Sequence, residues 1–304
     1  MNKNRRVIAL GFFDGVHTGH GALLQRVTQR ARELDAIPTA FTFDRSPTAA
    51  ITGQHVPLLS SVEDRVWLMR SCYHIQEVIV SSFDGMMRMD WQDFITEYLV
   101  RELGVVHVVA GHDFHFGYMG KGNPRRLQEK CAQLGIGCDI IPKVEQDGIT
   151  ISSTYIRTLI AQGEMERAVQ FLGHPHVLTQ KVAHGKKIGS STLGFPTVNL
   201  HIPEGVIVPA FGVYTTKVCF GGESRIAVTN VGVRPTVQDG DRRVTVEGFI
   251  LDFDGDLYGQ TMRMEFYHRL RGERKFPSME ELAEEIRRNA QQAREYFQEK
   301  AEYQ

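Results

Sequence analysis

Over the first 172 residues, short apolar runs alternate with stretches in which apolar positions recur every three or four residues. The runs cover 7–10, 38–43, 77–81, 105–111 and 137–142. The first, Val7-Ile8-Ala9-Leu10, is short and partly β-branched, as expected of a buried strand. Between the runs the spacing predicts helices near 20–34, 62–71, 91–103 and 124–134. The first of these rests on Ala22, Leu23, Val27, Ala31 and Leu34. The second opens on Ser61 and Asp64, which resemble a capping box with aspartate in the glutamate position. A helix pair near 154–162 and 164–171 closes this half. Strands alternating with helices need crossover connections, hence a parallel sheet with helices on both faces and an α/β class.

From about residue 173 the rhythm changes. Runs at 177–183, 212–219, 225–230, 244–252 and 261–267 read as strands with Gly and Pro between them, which predicts an antiparallel sheet or barrel. One helix ends the chain, with Ser278 as N-cap, Glu281 at the third position, and an apolar stripe of Met279, Leu282, Ile286, Ala290, Ala293 and Phe297. The shift at 173–176 divides the chain into domains 1–172 and 173–304, each with its own core. No internal repeat is present.

The 304 residues suffice for two such cores. Lys and Arg number 35 against 36 Asp and Glu, a net charge of −1 that lacks the basic footprint of a nucleic-acid binder. The four cysteines, Cys72, Cys131, Cys138 and Cys219, form no CxxC pair and point to a reducing compartment. Lys3, Arg5 and Arg6 precede seven apolar or glycine residues, but the run stops at Asp14 with no small-residue cleavage site, so it reads as a first strand rather than a signal peptide. No segment reaches the ~18 apolar residues of a membrane helix. The expectation is a soluble cytoplasmic protein without nucleic-acid or membrane partners.

The connection after 7–10 reads GFFDGVHTGH, residues 11–20. In an open α/β sheet such a turn lies at the carboxyl end of a strand, where ligands bind. Gly11 and Gly15 let backbone approach a ligand closely. Helix N-terminal amides favour an anion. His17 and His20 beside them could donate to a phosphate whose charge develops in a transition state. Three readings of the histidines stand: a cap beside a core residue, half of a metal site without further ligands at suitable spacing, and a phosphate site, which has the most support.

This stretch closely resembles the HxGH motif of nucleotidyltransferases, in the form found in prokaryotic bifunctional riboflavin kinase/FAD synthetases. VVAGHDFHFGYMGKGNPRRL, 108–127, is similar to that family's GxDFxFG segment and glycine loop, and ISSTYIRTLI, 151–160, carries its SSTxIR motif. The resemblance implies a Rossmann-like nucleotidyltransferase domain over 1–172 that adenylylates FMN. It implies that His17 and His20 contact the α- and β-phosphates of ATP, and that Gly11, Phe13, Asp14 and Gly15 border the nucleotide. Ser152, Ser153, Thr154 and Arg157 would hold the triphosphate, and Asp113 and Phe114 would approach the flavin. Helix capping by these serines and threonine is compatible with phosphate binding, because both use the same amides. The implied chemistry is attack of an FMN phosphate oxygen on the α-phosphorus, with Mg²⁺ as cofactor and charge supplied by the histidines and Arg157. One departure stands out: Arg45-Ser46-Pro47 replaces the usual Pro-His-Pro turn.

In HGKKIGSSTLGFPTVNL, 184–200, Gly185, Gly189 and Gly194 mark a flexible loop, and Pro196 fixes the entry to a strand. Thr197 and Asn199 share one face of that strand, where a hydroxyl and an amide can complete the coordination of a phosphate-bound Mg²⁺. GFPTVNL resembles the PTAN motif of riboflavin kinases, with Val198 in the alanine position. The match extends to Gly212-Val213-Tyr214, TNVGVRPTV (229–237), VEGFILDFDGDLYG (246–259) and LRGERKF (270–276). The resemblance implies an antiparallel β-barrel riboflavin kinase domain with a terminal helix over 173–304. ATP would lie at Gly185, Gly189, Thr197 and Asn199, Mg²⁺ at the last two, and the flavin at Arg271. Glu247 would be the base facing the riboflavin 5′-hydroxyl; by itself it reads as an exposed strand carboxylate. Departures are Gly189-Ser190-Ser191-Thr192, one residue longer than the bacterial form, Gly248-Phe249 for Thr-His, and Asn289 where aspartate is common.

The expected function is phosphorylation of riboflavin to FMN, then adenylylation of FMN to FAD. The alternatives are a chain with one active module, most readily the kinase, and a flavin-binding regulator without turnover.

Overall fold

The computed structural model describes residues 5–183, 197–235 and 242–302. They belong to two compact units, Met1–Val56 with Val62–Ser153, and Pro57–Ser61 with Thr154–Gln304.

The first unit is built on β1 (Arg6–Leu10), β2 (Ile37–Phe43), β3 (Glu77–Ser81), β4 (Val105–Gly111) and β5 (Gly137–Ile141), in the order β3-β2-β1-β4-β5. Every pairing is parallel. β1 is central, and Val7 to Leu10 are at most 1% exposed, which is why its sequence is continuously apolar rather than alternating. One face packs Ile8, Leu10, Phe41, Val108 and Ala110 under Phe94, Ile95, Leu99 and Leu127. α1 (Thr18–Leu34) lies along β1, β2 and β4. The remaining helices are α2 (Pro47–Thr52), α3 (Val62–Tyr73), α4 (Phe83–Met86), α5 (Trp91–Asp93), which continues as a π-helix over Phe94–Glu102, and α6 (Pro124–Gln133). The short α2 and a two-residue hairpin, β6 (Glu145–Gln146) and β7 (Ile149–Thr150), are additions to the sequence expectation. The chain steps from β1 outward to β3, then crosses to β4 on the other side of β1. The carboxyl ends of β1 and β4 therefore flank a topological switch point, where sheets of this kind receive ligands.

The second unit is an antiparallel sheet of β8 (His176–Lys181), β9 (Thr197–Leu200), β10 (Gly212–Phe220), β11 (Glu223–Pro235), β12 (Arg242–Ile250) and β13 (Thr261–Arg271), ordered β8-β13-β10-β11-β12-β9. The edges meet just past β8, where the Ala183 N–H donates to the Asn199 carbonyl at 2.8 Å, so the sheet curls into a barrel joined there by a bridge. α7 (Ser153–Gln162) and α8 (Met165–Leu172) are grouped largely with this unit, α8 against β8 and β13. A stretch from the first half joins it too: the Leu58 N–H donates to Gly205 at 2.7 Å and the Leu58 carbonyl accepts from Ile207 at 2.8 Å. α9 (Met279–Glu302) starts as expected, with the Ser278 hydroxyl accepting from the Glu281 N–H at 3.2 Å. It packs Ala290 and Ala293 on Val213, Val228 and Leu251. Among the described residues no helix is long and apolar enough to cross a membrane.

Candidate functional site

The turn that leaves β1 at the switch point is strained. Phe13 and Val16 hold left-handed φ angles of 57° and 42°, with Gly15 at 72° between them. For side-chain-bearing residues, such positions cost on the order of 1–3 kcal/mol each and persist only where neighbours impose them. The neighbours are identifiable. The Phe12 carbonyl accepts from Thr42 Oγ1 at 2.8 Å and from Arg65 Nη1 at 2.6 Å. Ser153 Oγ donates to the Asp14 carbonyl at 3.1 Å, and the Phe13 side chain is fully buried.

His17 is the N-cap of α1, its Nδ1 accepting from the His20 N–H at 3.3 Å. An accepting ring nitrogen carries no proton, which places the proton of the neutral ring on Nε2. A Cβ on Gly19 would come within 3.1 Å of that Nδ1, so glycine at this position leaves room for the cap. The two imidazoles stack at 3.7 Å, and His20 meets the Phe13 ring edge-on at 5.3 Å. Burial, then His17 and Arg65, hold His20 well below the ordinary imidazole range. That direction favours the uncharged ring, so His20 offers a hydrogen-bonding nitrogen at a half-buried position beside the cap. Its Nδ1 is buried with no partner among the described residues.

Arg65 has no counterpart in the sequence reading. It is fully buried, lies 4.3 Å from the Phe12 ring centroid, and donates from Nη1 both to the Phe12 carbonyl and to Thr42 Oγ1. Burial lowers its pKa to about 10, against the opposing pull of Asp14 and Asp44, so it stays a cation. One guanidinium thus ties the start of the turn to the end of β2. Arg65→Met is expected to cut the FMN adenylylation that the resemblance implies for this half roughly 10–100-fold, the scale of a small misplacement of reacting groups. The riboflavin phosphorylation implied for the other half should stay within about twofold in the same preparation. Equal losses in both reactions would show general unfolding instead.

The other predicted residues of this half are placed as follows. Asp113 and Phe114 follow β4 at the switch point; Asp113 is exposed, and Phe114 stacks on Phe116 at 5.5 Å. Arg45-Ser46-Pro47 forms a helix start: Ser46 Oγ accepts from the Ala49 N–H at 3.3 Å, Pro47 takes the first turn of α2, and Arg45 pairs with Asp84. Ser152 and Ser153 fall in the first unit, Thr154 and Arg157 in the second, where Arg157 Nη2 donates to Thr154 Oγ1 at 3.3 Å.

In the barrel, strand register does what the sequence could not. Arg271 on β13 stands opposite Val213 on β10, Val213 opposite Asn230 on β11, Asn230 opposite Glu247 on β12, and Glu247 opposite Asn199 on β9. Directly opposed residues project to the same face. Arg271, Asn230, Glu247 and Asn199 therefore form one transverse row across five strands, with Thr197 two residues along. At about 4.8 Å per strand, Glu247 lies one step from Asn199 and roughly 14 Å from Arg271. Asn230, quoted only within a motif, joins the site through this register. Farther along the same face, Phe249 and Leu251 pack beneath α9. Gly185 and Gly189 lie outside the described residues.

Thr197 and Asn199 offer hard oxygen donors on a strand, with the Glu247 carboxylate in the adjacent register position. Such a set suits Mg²⁺ that already carries phosphate oxygens, since two neutral ligands leave most of its coordination to the nucleotide and water. Among the described residues no group of three or more His, Cys, Asp or Glu could hold a metal ion.

Comparison with known proteins matches both halves. A family model for FAD synthetase covers residues 1–155, and one for riboflavin kinase covers 172–297. The chain is 33% identical to the bifunctional riboflavin kinase/FMN adenylyltransferase of Bacillus subtilis over 96% of this chain and 93% of that protein. It is 34% identical to the one from Listeria monocytogenes, over 96% and 92%, and 35% identical to the one from Pseudomonas fluorescens, over 95% and 92%. A crystal structure described as a macrolide-efflux protein from Streptococcus pneumoniae superposes with a TM-score of 0.82 at 28% identity, covering 97% of this chain and 95% of that one. Both an FAD synthetase domain and a riboflavin kinase domain are thus present in one chain. With a capped, strained turn at a parallel-sheet switch point and a polar row across a barrel, the chain belongs to the bifunctional riboflavin kinase/FMN adenylyltransferase family.

Proposed function

We propose that this protein makes FMN from riboflavin and ATP at the barrel row, and FAD from FMN and ATP at the β1 turn. The transverse row supports the reading: Glu247, Asn199 and Arg271, with Thr197 two residues along, share one face of one sheet, as a base, oxygen ligands and a flavin-binding cation would need to. Glu247 accepts the proton of the riboflavin 5′-hydroxyl as that oxygen bonds to the γ-phosphorus and ADP leaves. Thr197 and Asn199 hold the nucleotide's Mg²⁺, which supplies charge neutralisation on the phosphates when bound. Arg271 anchors the flavin roughly three strand spacings, or about 14 Å, away. In the second reaction an FMN phosphate oxygen attacks the α-phosphorus of ATP and pyrophosphate departs. His17 and His20 offer ring nitrogens to the phosphates, Gly11 and Gly15 admit them close to backbone, and Ser152 and Ser153 contribute hydroxyls to the triphosphate. Positioning and electrostatics dominate such transfers. None of the four cysteines is in a disulfide, which suits the cytoplasm.

The test is incubation with riboflavin, ATP and Mg²⁺, followed by chromatographic resolution of the flavins. FAD is expected. FMN alone would leave only the kinase active, and unchanged riboflavin would overturn both activities.

A further inference from the structure

At the end of the row, Arg271 does not stand alone. Its Nε lies 3.1 Å from Glu285 Oε1 and donates to Asn289 Oδ1 at 3.2 Å, two residues one turn apart on α9. Arg274 and Arg288 approach the other oxygen of Glu285 at 3.3 and 3.2 Å. The Glu285 side chain is only 6% exposed, whereas those of Arg274 and Arg288 are 54% and 65% exposed. The pair that is taken out of water is Glu285 with Arg271, whose side chain is 19% exposed. Phe276 adds a ring against Arg271 and Arg274, at 5.4 and 4.5 Å. Arg271 Nη1 is taken by the Gly272 carbonyl at 3.2 Å, which leaves Nη2 without an acceptor among the described residues.

We propose that Glu285 is a positioning residue of the riboflavin kinase reaction: its carboxylate fixes the rotation of the Arg271 guanidinium so that Nη2 faces the flavin. This rests on the reading that Arg271 binds flavin. A guanidinium is a planar fork, so fixing one edge fixes the direction of the other. Removing the charge of a buried partner while leaving the arginine in place frees that direction and leaves a desolvated cation poorly compensated. Asn289 reaches the same Nε from one helical turn later, so it marks a second position from which a carboxylate can do the same work.

The test is steady-state riboflavin phosphorylation by the full chain. Glu285→Gln is expected to raise the riboflavin KM about tenfold with kcat changed less than about threefold, because flavin binding rather than the chemical step is disturbed. The double variant Glu285→Gln/Asn289→Asp should bring KM back to within about threefold of the parent. A merely structural role for Glu285 would lower thermal stability without this KM-specific loss and recovery. FMN adenylylation by the same preparations serves as an internal control and should not move. If Glu285→Gln fails to fold, the charge-conserving double variant still decides: a near-parental KM supports the proposal, and a tenfold rise overturns it. A parental KM in folded Glu285→Gln, or no recovery in the double variant, also overturns it. Arg271→Met separates the two readings: if it leaves KM unchanged, Arg271 does not bind flavin and the proposal falls with it. If Arg271→Met raises KM but Glu285→Gln does not, only the positioning role is wrong.

Discussion

FAD formation by the His17→Ala and His20→Ala variants is expected to fall by about 10² or more, the loss typical of removing a group aimed at developing charge. FMN formation from riboflavin should remain within about twofold, because effects at independent sites separate. The two substitutions act differently. His17→Ala removes the N-cap and its acceptor for the His20 N–H, so it also costs about 1 kcal/mol of helix stability. His20→Ala removes a half-buried imidazole that caps no helix and should leave stability less affected. His20, whose pKa is depressed in the fold, contributes stability that is present above its unfolded pKa and is lost as pH falls toward the folded value. Acid denaturation of His20→Ala should accordingly begin at lower pH than in the parent. Measuring FMN and FAD production separately, with thermal melts, checks all of this. A comparable fall in riboflavin phosphorylation would sink the assignment of the two reactions to two sites.

Replacing Glu247 with glutamine keeps shape and strand pairing while removing the proposed base. A primary alcohol is a poor nucleophile unless its proton is accepted as the bond to phosphorus forms. A positioned carboxylate typically contributes roughly 10²–10⁴-fold to such a step, and the kinase rate should drop by that factor with riboflavin and ATP still binding. FAD synthesis from supplied FMN should continue, since that acceptor is already an ionised phosphate. Thr197→Ala offers the contrast: a lost ligand weakens Mg-ATP in the ground state as well, raising the ATP KM along with lowering turnover. Parental riboflavin phosphorylation by Glu247→Gln, folded by circular dichroism, would exclude Glu247 as the base.

The sequence made the strand–helix alternation and the antiparallel half legible because buried strands and amphipathic helices carry periodic signals. The histidine turn was legible because its glycines and caps are local. What stayed hidden needs tertiary pairing. Arg65 follows Glu63 and Asp64 in the first turn of a helix with no local signal of its partners; only the fold places it on the Phe12 carbonyl. Asn199, Asn230, Glu247 and Arg271 lie tens of residues apart and become neighbours through register alone. Two departures from the family motif also resolve into one. Val198 and Gly248 are register partners, and a Cβ on Gly248 would meet Val198 Cγ2 at 3.2 Å and Met264 Cε at 2.9 Å. A larger residue on one strand is matched by the smallest on the next, which no reading of either motif by itself reveals. The replacement of Pro-His-Pro is likewise local after all, since Ser46 and Pro47 begin a helix.

The bridge between Ala183 and Asn199 has a mechanical meaning. A closed barrel has no free edge, but this one is fastened at its join by a contact whose acceptor belongs to a residue assigned to the nucleotide's metal. Such a join is the natural place for local opening, with a free energy well below that of global unfolding. If Thr197 and Asn199 hold the nucleotide as proposed, its binding would keep β9 in the sheet and act as the buckle of the barrel. Occupancy then adds stability in proportion to the logarithm of nucleotide concentration over its dissociation constant. The protection of the Ala183 amide against solvent exchange becomes a direct gauge of how often the buckle is fastened.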